Sequence, residues 1–472
     1  MPGSPRLRTV ISISIAVLTL TLAAAAASAQ VLRGADLSAL SPLFPPDHWW
    51  NVDVSAAPLD LVNGTNYTNF IGPTRGLHPD FGGDVDPANP ASTDIYGMVY
   101  ISVPGTQPLE PVTFVEFDDQ SDHGAPGRPA GYPIPVEART EGKWIEGGDP
   151  GGGASGDHHM LIVDRDNRIL YELYHAHWNA ALARWEAGSG AIFSLDSDAR
   201  RPDTWTSADA AGLAILPGLI RYDEAFGPNP IRHAFRFTVR DTNGYVYPAS
   251  HEAGSRSGAP PMGTRLRLKA GTVVSPTLPA YVQKIFQAMK TYGLIVADNG
   301  SDMYIQGAYD PRWDNGVLNP AFSGLKASDF EVIAPGWQPP VATAAGPLQL
   351  YTVPPCRLLD TRNPSGPAGG PALPPGGQRV LTVTSRCGIP AAARAVAVNV
   401  TVVAPPQAGH IRFFPGNAQA PNAAALNFGA GQTRTNNAIL MLASSGTGTL
   451  AVQSFTSGGF LHLVLDVTGY FQ

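Results

Sequence analysis

The sequence predicts a mainly β protein: a β-rich N-terminal domain, a jelly-roll-like sandwich with a few helices, followed by a smaller C-terminal all-β sandwich. Three observations predict it. Glycine (51) and proline (45) fill about a fifth of the 472 positions and cut the chain into short segments. Apolar residues make up 43% and charged residues 15%, enough to fill cores and too few charges for a disordered chain. Short apolar runs alternate with turn residues along most of the length, whereas sustained helical periodicity is confined to one segment. Collagen, a coiled coil and a disulfide-stapled miniprotein are excluded.

The elements follow in order. Residues 1–29 read as a signal peptide, with Arg6 and Arg8 before an apolar run from Val10 to Leu22 and the small-residue site Ala27-Ser28-Ala29. The mature chain is therefore expected outside the cell or attached to its surface, with no membrane insertion after cleavage. Residues 30–333 are expected to form the catalytic domain. Strands are expected at Met98–Val103, His159–Val163, Ile169–Tyr174, His233–Val239 and Leu294–Val296. A helix is expected over Leu278–Tyr292, with Val282, Ile285, Phe286, Met289 and Tyr292 on one stripe and Gly293 as its C-cap. A shorter helix is expected after Ser207. Residues 334–347, rich in Pro and Ala, read as a linker. Residues 348–472 then alternate apolar and small residues at Ala395–Val402, His410–Phe414, Ala438–Leu442 and Leu461–Val467, as a β-sandwich does.

Charge divides the two domains. The piece from 348 has seven arginines, two aspartates and no Trp, a net charge of +5; residues 30–347 carry 22 basic and 36 acidic side chains, a net of −14. The whole chain stands at −7, so nucleic acid is not an expected partner. The two cysteines, Cys356 and Cys387, read as one disulfide of an exported protein.

Two resemblances add to this. Pro355-Cys356-Arg357-Leu358-Leu359-Asp360-Thr361-Arg362, Ala397-Val398-Asn399-Val400-Thr401, Leu426-Asn427-Phe428 and Asp466-Val467-Thr468-Gly469-Tyr470-Phe471 resemble an accessory β-module found at the C-terminus of many secreted bacterial proteins, often behind hydrolases. That resemblance implies a secreted, modular protein, and the module's expected role is attachment or stabilisation. Gly156-Asp157-His158-His159-Met160-Leu161-Ile162-Val163-Asp164-Arg165-Asp166, Ala208-Asp209-Ala210-Ala211-Gly212-Leu213 and Ala297-Asp298-Asn299-Gly300-Ser301 are similar to an uncharacterised family of secreted bacterial proteins, a likeness that leaves the chemistry open.

Candidate chemistry concentrates in three places. The hairpin Asp157–Trp178 carries His158, His159, Tyr171, Glu172, Tyr174, His175 and His177. Alternation puts Glu172 and Tyr174 on one face; an odd-numbered loop puts His158 there with them, and an even-numbered one His159. A second cluster, Asp298-Asn299-Gly300-Ser301-Asp302, is trailed by Trp313 as a stacking platform. A third includes His251. No serine-hydrolase elbow, phosphate loop or dinucleotide fingerprint is present. His175-Ala176-His177 is the one pair with strand spacing for a metal, yet no metal or other cofactor is expected. The expected function is a glycoside hydrolase acting on an extracellular polysaccharide or cell-surface glycan. Glu172, Asp298, Asp302 and His159 are its candidate catalytic residues, and Trp313, Tyr174, His175, Arg236 and His251 its substrate contacts. The alternatives are a polysaccharide lyase with a Tyr or His base, and a non-catalytic carbohydrate-binding protein.

Overall fold

The computed structural model describes residues 30–89, 91–153, 156–338, 348–418, 420–443 and 448–472. The signal peptide expected at 1–29 and most of the expected linker, 339–347, lie outside the described residues.

The N-terminal part holds strands β1 (Leu32–Arg33), β2 (His78–Asp80), β3 (Tyr100–Val103), β4 (Val112–Phe114), β5 (Met160–Asp164), β6 (Ile169–Tyr174), β7 (His177–Asn179), β8 (Arg184–Ala187), β9 (Ser189–Ser194), β10 (Phe235–Val239), β11 (Arg265–Leu268), β12 (Leu294–Asn299), β13 (Tyr304–Gln306) and β14 (Phe330–Val332). They form three sheets in the orders β1-β3-β5-β6-β9, β14-β11-β12-β10-β13-β2 and β4-β8-β7. All three sheets mix directions, with β3 parallel to β5, β10 parallel to β12 and β4 parallel to β8 among antiparallel pairs. The five-stranded sheet is the middle layer. Leu161, Val163, Leu170 and Phe193 join one core with Phe235, Phe237, Leu294 and Ile305 of the six-stranded sheet. Ile101, Val103, Ile162, Tyr171 and Leu173 join a second core with Phe114, Tyr132, Trp144 and Trp185. Burial on both faces explains why β5 reads as a continuous apolar run and not an alternating one.

The expected helix is present as Ala280–Thr291, with Val282, Ile285, Phe286 and Met289 buried. Gly293 follows it at φ 77°, and a Cβ there would lie 2.2 Å from the Leu266 carbonyl, so the turn into β12 requires glycine. The shorter helix expected after Ser207 is absent. Residues 207–214 form irregular turns, with Gly212 at φ 72° and Ser207 Oγ bonded to the Leu213 carbonyl.

The C-terminal part has a separate core, from Leu358 to Val467. Its strands are β15 (Leu350–Asp360), β16 (Gln378–Thr382), β17 (Ala395–Val403), β18 (Gly409–Pro415), β19 (Leu426–Phe428), β20 (Arg434–Met441), β21 (Thr449–Thr456) and β22 (His462–Phe471). The sheets β15-β22-β17-β20 and β16-β21-β18-β19 face each other through Val398, Val400, Leu463 and Leu465 on one side and Ile411, Phe413, Leu450 and Val452 on the other. Cys356 and Cys387 form the expected disulfide across 31 residues of sequence. Closing a loop of that size restricts the unfolded chain by about 3–4 kcal/mol. Calorimetry of the full chain with and without reductant is therefore expected to show the transition of this part moving down by several degrees, with the N-terminal transition unmoved. Among the described residues, no helix is long and apolar enough to cross a membrane.

Candidate functional site

A charged cluster lies where the five-stranded and six-stranded sheets meet. β5 and β6 are joined by the four residues 165–168, and Leu161 pairs with Glu172. This even loop places His159 on the Glu172 face, with its ring 5.7 Å from that of Tyr174. From the six-stranded sheet come Arg236 on β10 and Asp298 on β12. Gln306 on β13 accepts a hydrogen bond from Arg236 Nη1 and pairs in register with Asp80 on β2.

Arg236 is fully buried. Its Nη2 lies 2.6 Å from Asp209 Oδ1 and 3.6 Å from Asp298 Oδ2. Burial pulls its pKa down, but Asp209 and Asp298 outweigh that and hold the guanidinium charged. Asp209 is itself sealed, and burial lifts its carboxyl to about 6 although Arg236 opposes the shift. His159 is also buried; Nδ1 lies 2.6 Å from Glu146 Oε2 and Nε2 3.0 Å from the Ala208 carbonyl. Both ring nitrogens face acceptors, so the ring is an imidazolium. Burial opposes that charge, yet the Glu146 carboxylate raises the pKa to about 9. In turn, burial pushes Glu146 up and His159 outweighs it, leaving Glu146 below the ordinary glutamate value.

Asp298 behaves in the opposite way: burial raises its pKa, only partly offset by Arg236 and His159. Both carboxylates are part-exposed, with side chains 26% exposed at Glu146 and 25% at Asp298. Both act electrostatically on Arg236 and on His159. Two carboxyl groups in one cluster, one held ionised and one held toward its acid form, can divide base and acid roles at a single pH. Tyr174 is half-buried beside them; burial, then Asp157, Glu116 and Asp298, raise its phenol.

Several residues picked out in the sequence take other roles. Glu172 is fully buried, and its carboxylate accepts the backbone N–H of Ile215 (3.0 and 2.8 Å) and of Leu216 (2.9 Å). It ties β6 to the 215–218 turn and meets no solvent, so it cannot touch a substrate. Burial raises its pKa from the ordinary 4.5 to about 7, with the backbone bonds opposing. Because the folded value lies above the unfolded one, ionisation opposes folding, and stability falls as pH rises from about 4.5 to about 7, by roughly 3 kcal/mol in all. Glu172→Gln is expected to flatten that slope in urea unfolding measured at pH 5 and pH 8.

Asp302 is bound to Arg240, Oδ1 to its N–H (2.9 Å) and Oδ2 to Nη1 (2.5 Å), and so fixes the β12–β13 turn. Trp313 is 7% exposed, gives Nε1 to the Ala308 carbonyl at 3.0 Å and packs edge-on against Phe81 and Tyr222, leaving no open ring for a sugar. Arg236 is sealed and cannot neutralise a uronate. His175 bonds Glu116 at 2.7 Å, and His177 lies 3.3 Å from Glu186, so each imidazole of the HxH pair already faces a carboxylate. Among the described residues no group of three His, Cys, Asp or Glu side chains is placed to hold a metal ion. His251 is half-buried, with Nδ1 donating to the Ala210 carbonyl at 2.9 Å, next to Asp209.

A comparison with protein-family models gives no match, and neither does one with curated proteins. Among solved structures the chain is similar to two of the Tobacco streak virus coat protein, one of them a dimer, each at 10% identity and covering 27% of this chain and 90% of the other. Their TM-scores are 0.16 and 0.15, an overlap that carries no argument about fold or function.

Proposed function

We propose that the chain is an exported glycan hydrolase in which Asp298 gives a proton to the leaving oxygen and Glu146 acts as the ionised base or nucleophile. The observation that carries this reading is the opposite displacement of two part-exposed carboxylates that share Arg236 and His159 as neighbours. Half-buried Tyr174 beside the cluster supplies a hydroxyl suited to sugars. The disulfide supports an oxidising, extracytoplasmic setting. The C-terminal part is then an attachment or stabilising module.

A lyase is the weaker reading. Its base would be Tyr174, whose phenol burial and three nearby carboxylates hold protonated, and its carboxylate-neutralising group would be the sealed Arg236. The test is to incubate the full chain with neutral, amino-sugar and uronic-acid polysaccharides, following reducing ends and the ultraviolet band of an unsaturated uronide. New reducing ends without that band, lost in Asp298→Asn, are expected. The band itself means a lyase. Silence in both channels with retention on an affinity gel means a binding protein.

A further inference from the structure

The inference rests on the reading just given, because it concerns how Glu146 is held. Glu146 lies in a loop, not in a strand or helix, yet the two histidines before β5 grip it on three sides. Its N–H donates to the His159 carbonyl at 3.1 Å. Its Oε2 accepts the His159 N–H at 3.1 Å and Nδ1 at 2.6 Å. Its carbonyl accepts Nδ1 of His158 at 3.1 Å. Among the described residues, Oε1 takes none of these bonds and is the oxygen left over for chemistry.

The hold by His158 is built into the backbone around it. His158 sits at φ 43°, a conformation uncommon for a residue with a side chain. The residue is 5% exposed and its ring packs against glycines: a Cβ at Gly147, Gly153 or Gly156 would lie 3.4, 3.2 and 3.3 Å from it. The loop itself has no slack at Gly148, where φ is 96° and a Cβ would meet the Thr93 carbonyl at 1.8 Å. Nε2 of His158 has no partner among the described residues, so the bond to Glu146 is the polar contact that orients the ring. His159 alone holds the Glu146 N–H and carboxylate but would leave the Glu146 carbonyl without its bond.

We infer that His158 is the positioning residue of the site: its Nδ1–H fixes the Glu146 main chain, and so fixes which carboxylate oxygen is bonded to His159 and which is left to react.

Three substitutions in the full chain test this. In His158→Asn the amide nitrogen takes the place of Nδ1, and Asn tolerates the left-handed backbone. His158→Gln moves the donor outward, and His158→Ala removes it. The first readout needs no substrate: the titration of the His159 ring by NMR. In the wild type and in His158→Asn it is expected near 9. In the Gln and Ala variants it is expected to fall by about one unit or more as Glu146 loosens. The second readout is kcat on whichever glycan the wild type cleaves, expected to fall about tenfold or more in the Gln and Ala variants with KM little changed, and to be largely kept in His158→Asn. Unchanged His159 titration in both the Gln and Ala variants overturns the inference. So does a loss in His158→Asn equal to that in His158→Gln, which marks a packing role only. Should His158→Ala fail to fold, the Asn and Gln pair still decides. If the wild type cleaves no glycan while the His159 titration moves as stated, the hydrolase reading fails and the positioning role stands.

Discussion

Glu146→Gln is expected to lower kcat by roughly 10²–10⁴-fold on any glycan the wild type cleaves, the range associated with losing a general base or its counterpart. The amide oxygen can still accept from His159 Nδ1, so the fold should survive. The loss of a charge-assisted bond costs about 1–3 kcal/mol, which urea unfolding would register. Asp298→Asn should fall in the same range by removing the proton donor. Glu172→Gln should leave kcat within about threefold, because its carboxylate is spent on the N–H groups of Ile215 and Leu216. That contrast is what separates a carboxylate that reacts from one that holds the sheet to a turn. A tenfold or greater loss in Glu172→Gln, with Glu146→Gln at wild-type rates, would reverse the assignment.

Arg236→Met is expected to cost about 3–5 kcal/mol of stability, the largest effect of any single change in this cluster. The guanidinium is fully buried between Asp209, Asp298 and Gln306, and its loss removes the cation bonded to the sealed Asp209 carboxylate, leaving only the more distant His159 charge. Asp209 can escape part of that cost by taking a proton, since burial already lifts its pKa to about 6. Without Arg236 the folded value rises further above the ordinary 3.8, and a raised acid loses stability as pH climbs from the unfolded value to the folded one. The variant should therefore lie closest to wild type near pH 4 and furthest from it above pH 7. Urea unfolding at the two ends would show this; a deficit that does not change with pH would mean that Asp209 stays ionised throughout.

Much of the fold was legible in the chain, and the reason is local. β6 runs over Ile169–Tyr174 as its alternation and flanking turns indicate, and the helix Ala280–Thr291 follows its apolar stripe. Of the residues gathered in the candidate site, Asp298, His159 and Tyr174 stand out in the sequence as dense polar residues at strand ends. What their spacing could not carry was burial. Glu172 and Arg236 look like reactive groups until both sheets close over them, and Trp313 looks like a platform until Phe81 and Tyr222 pack against its edges. Glu146 was missed because it stands in the glycine-rich stretch before Gly147 and Gly148, where a single acid reads as a solvated loop. Its signal is the two histidines twelve and thirteen positions on, whose grip depends on a long-range fold. Asp209 was hidden by a segment whose composition favours a helix start, a preference overridden by Gly212 and by the pull of Arg236.

The most direct test of the central claim is the pH dependence of kcat/KM on a cleaved glycan, for wild type, Glu146→Gln and Asp298→Asn. The account predicts a bell whose acid limb lies below the ordinary glutamate range and whose alkaline limb lies above the ordinary aspartate range. Residual activity should lose the acid limb in Glu146→Gln and the alkaline limb in Asp298→Asn. Two variants that keep both limbs and wild-type rates would contradict it and move the chemistry elsewhere in the molecule.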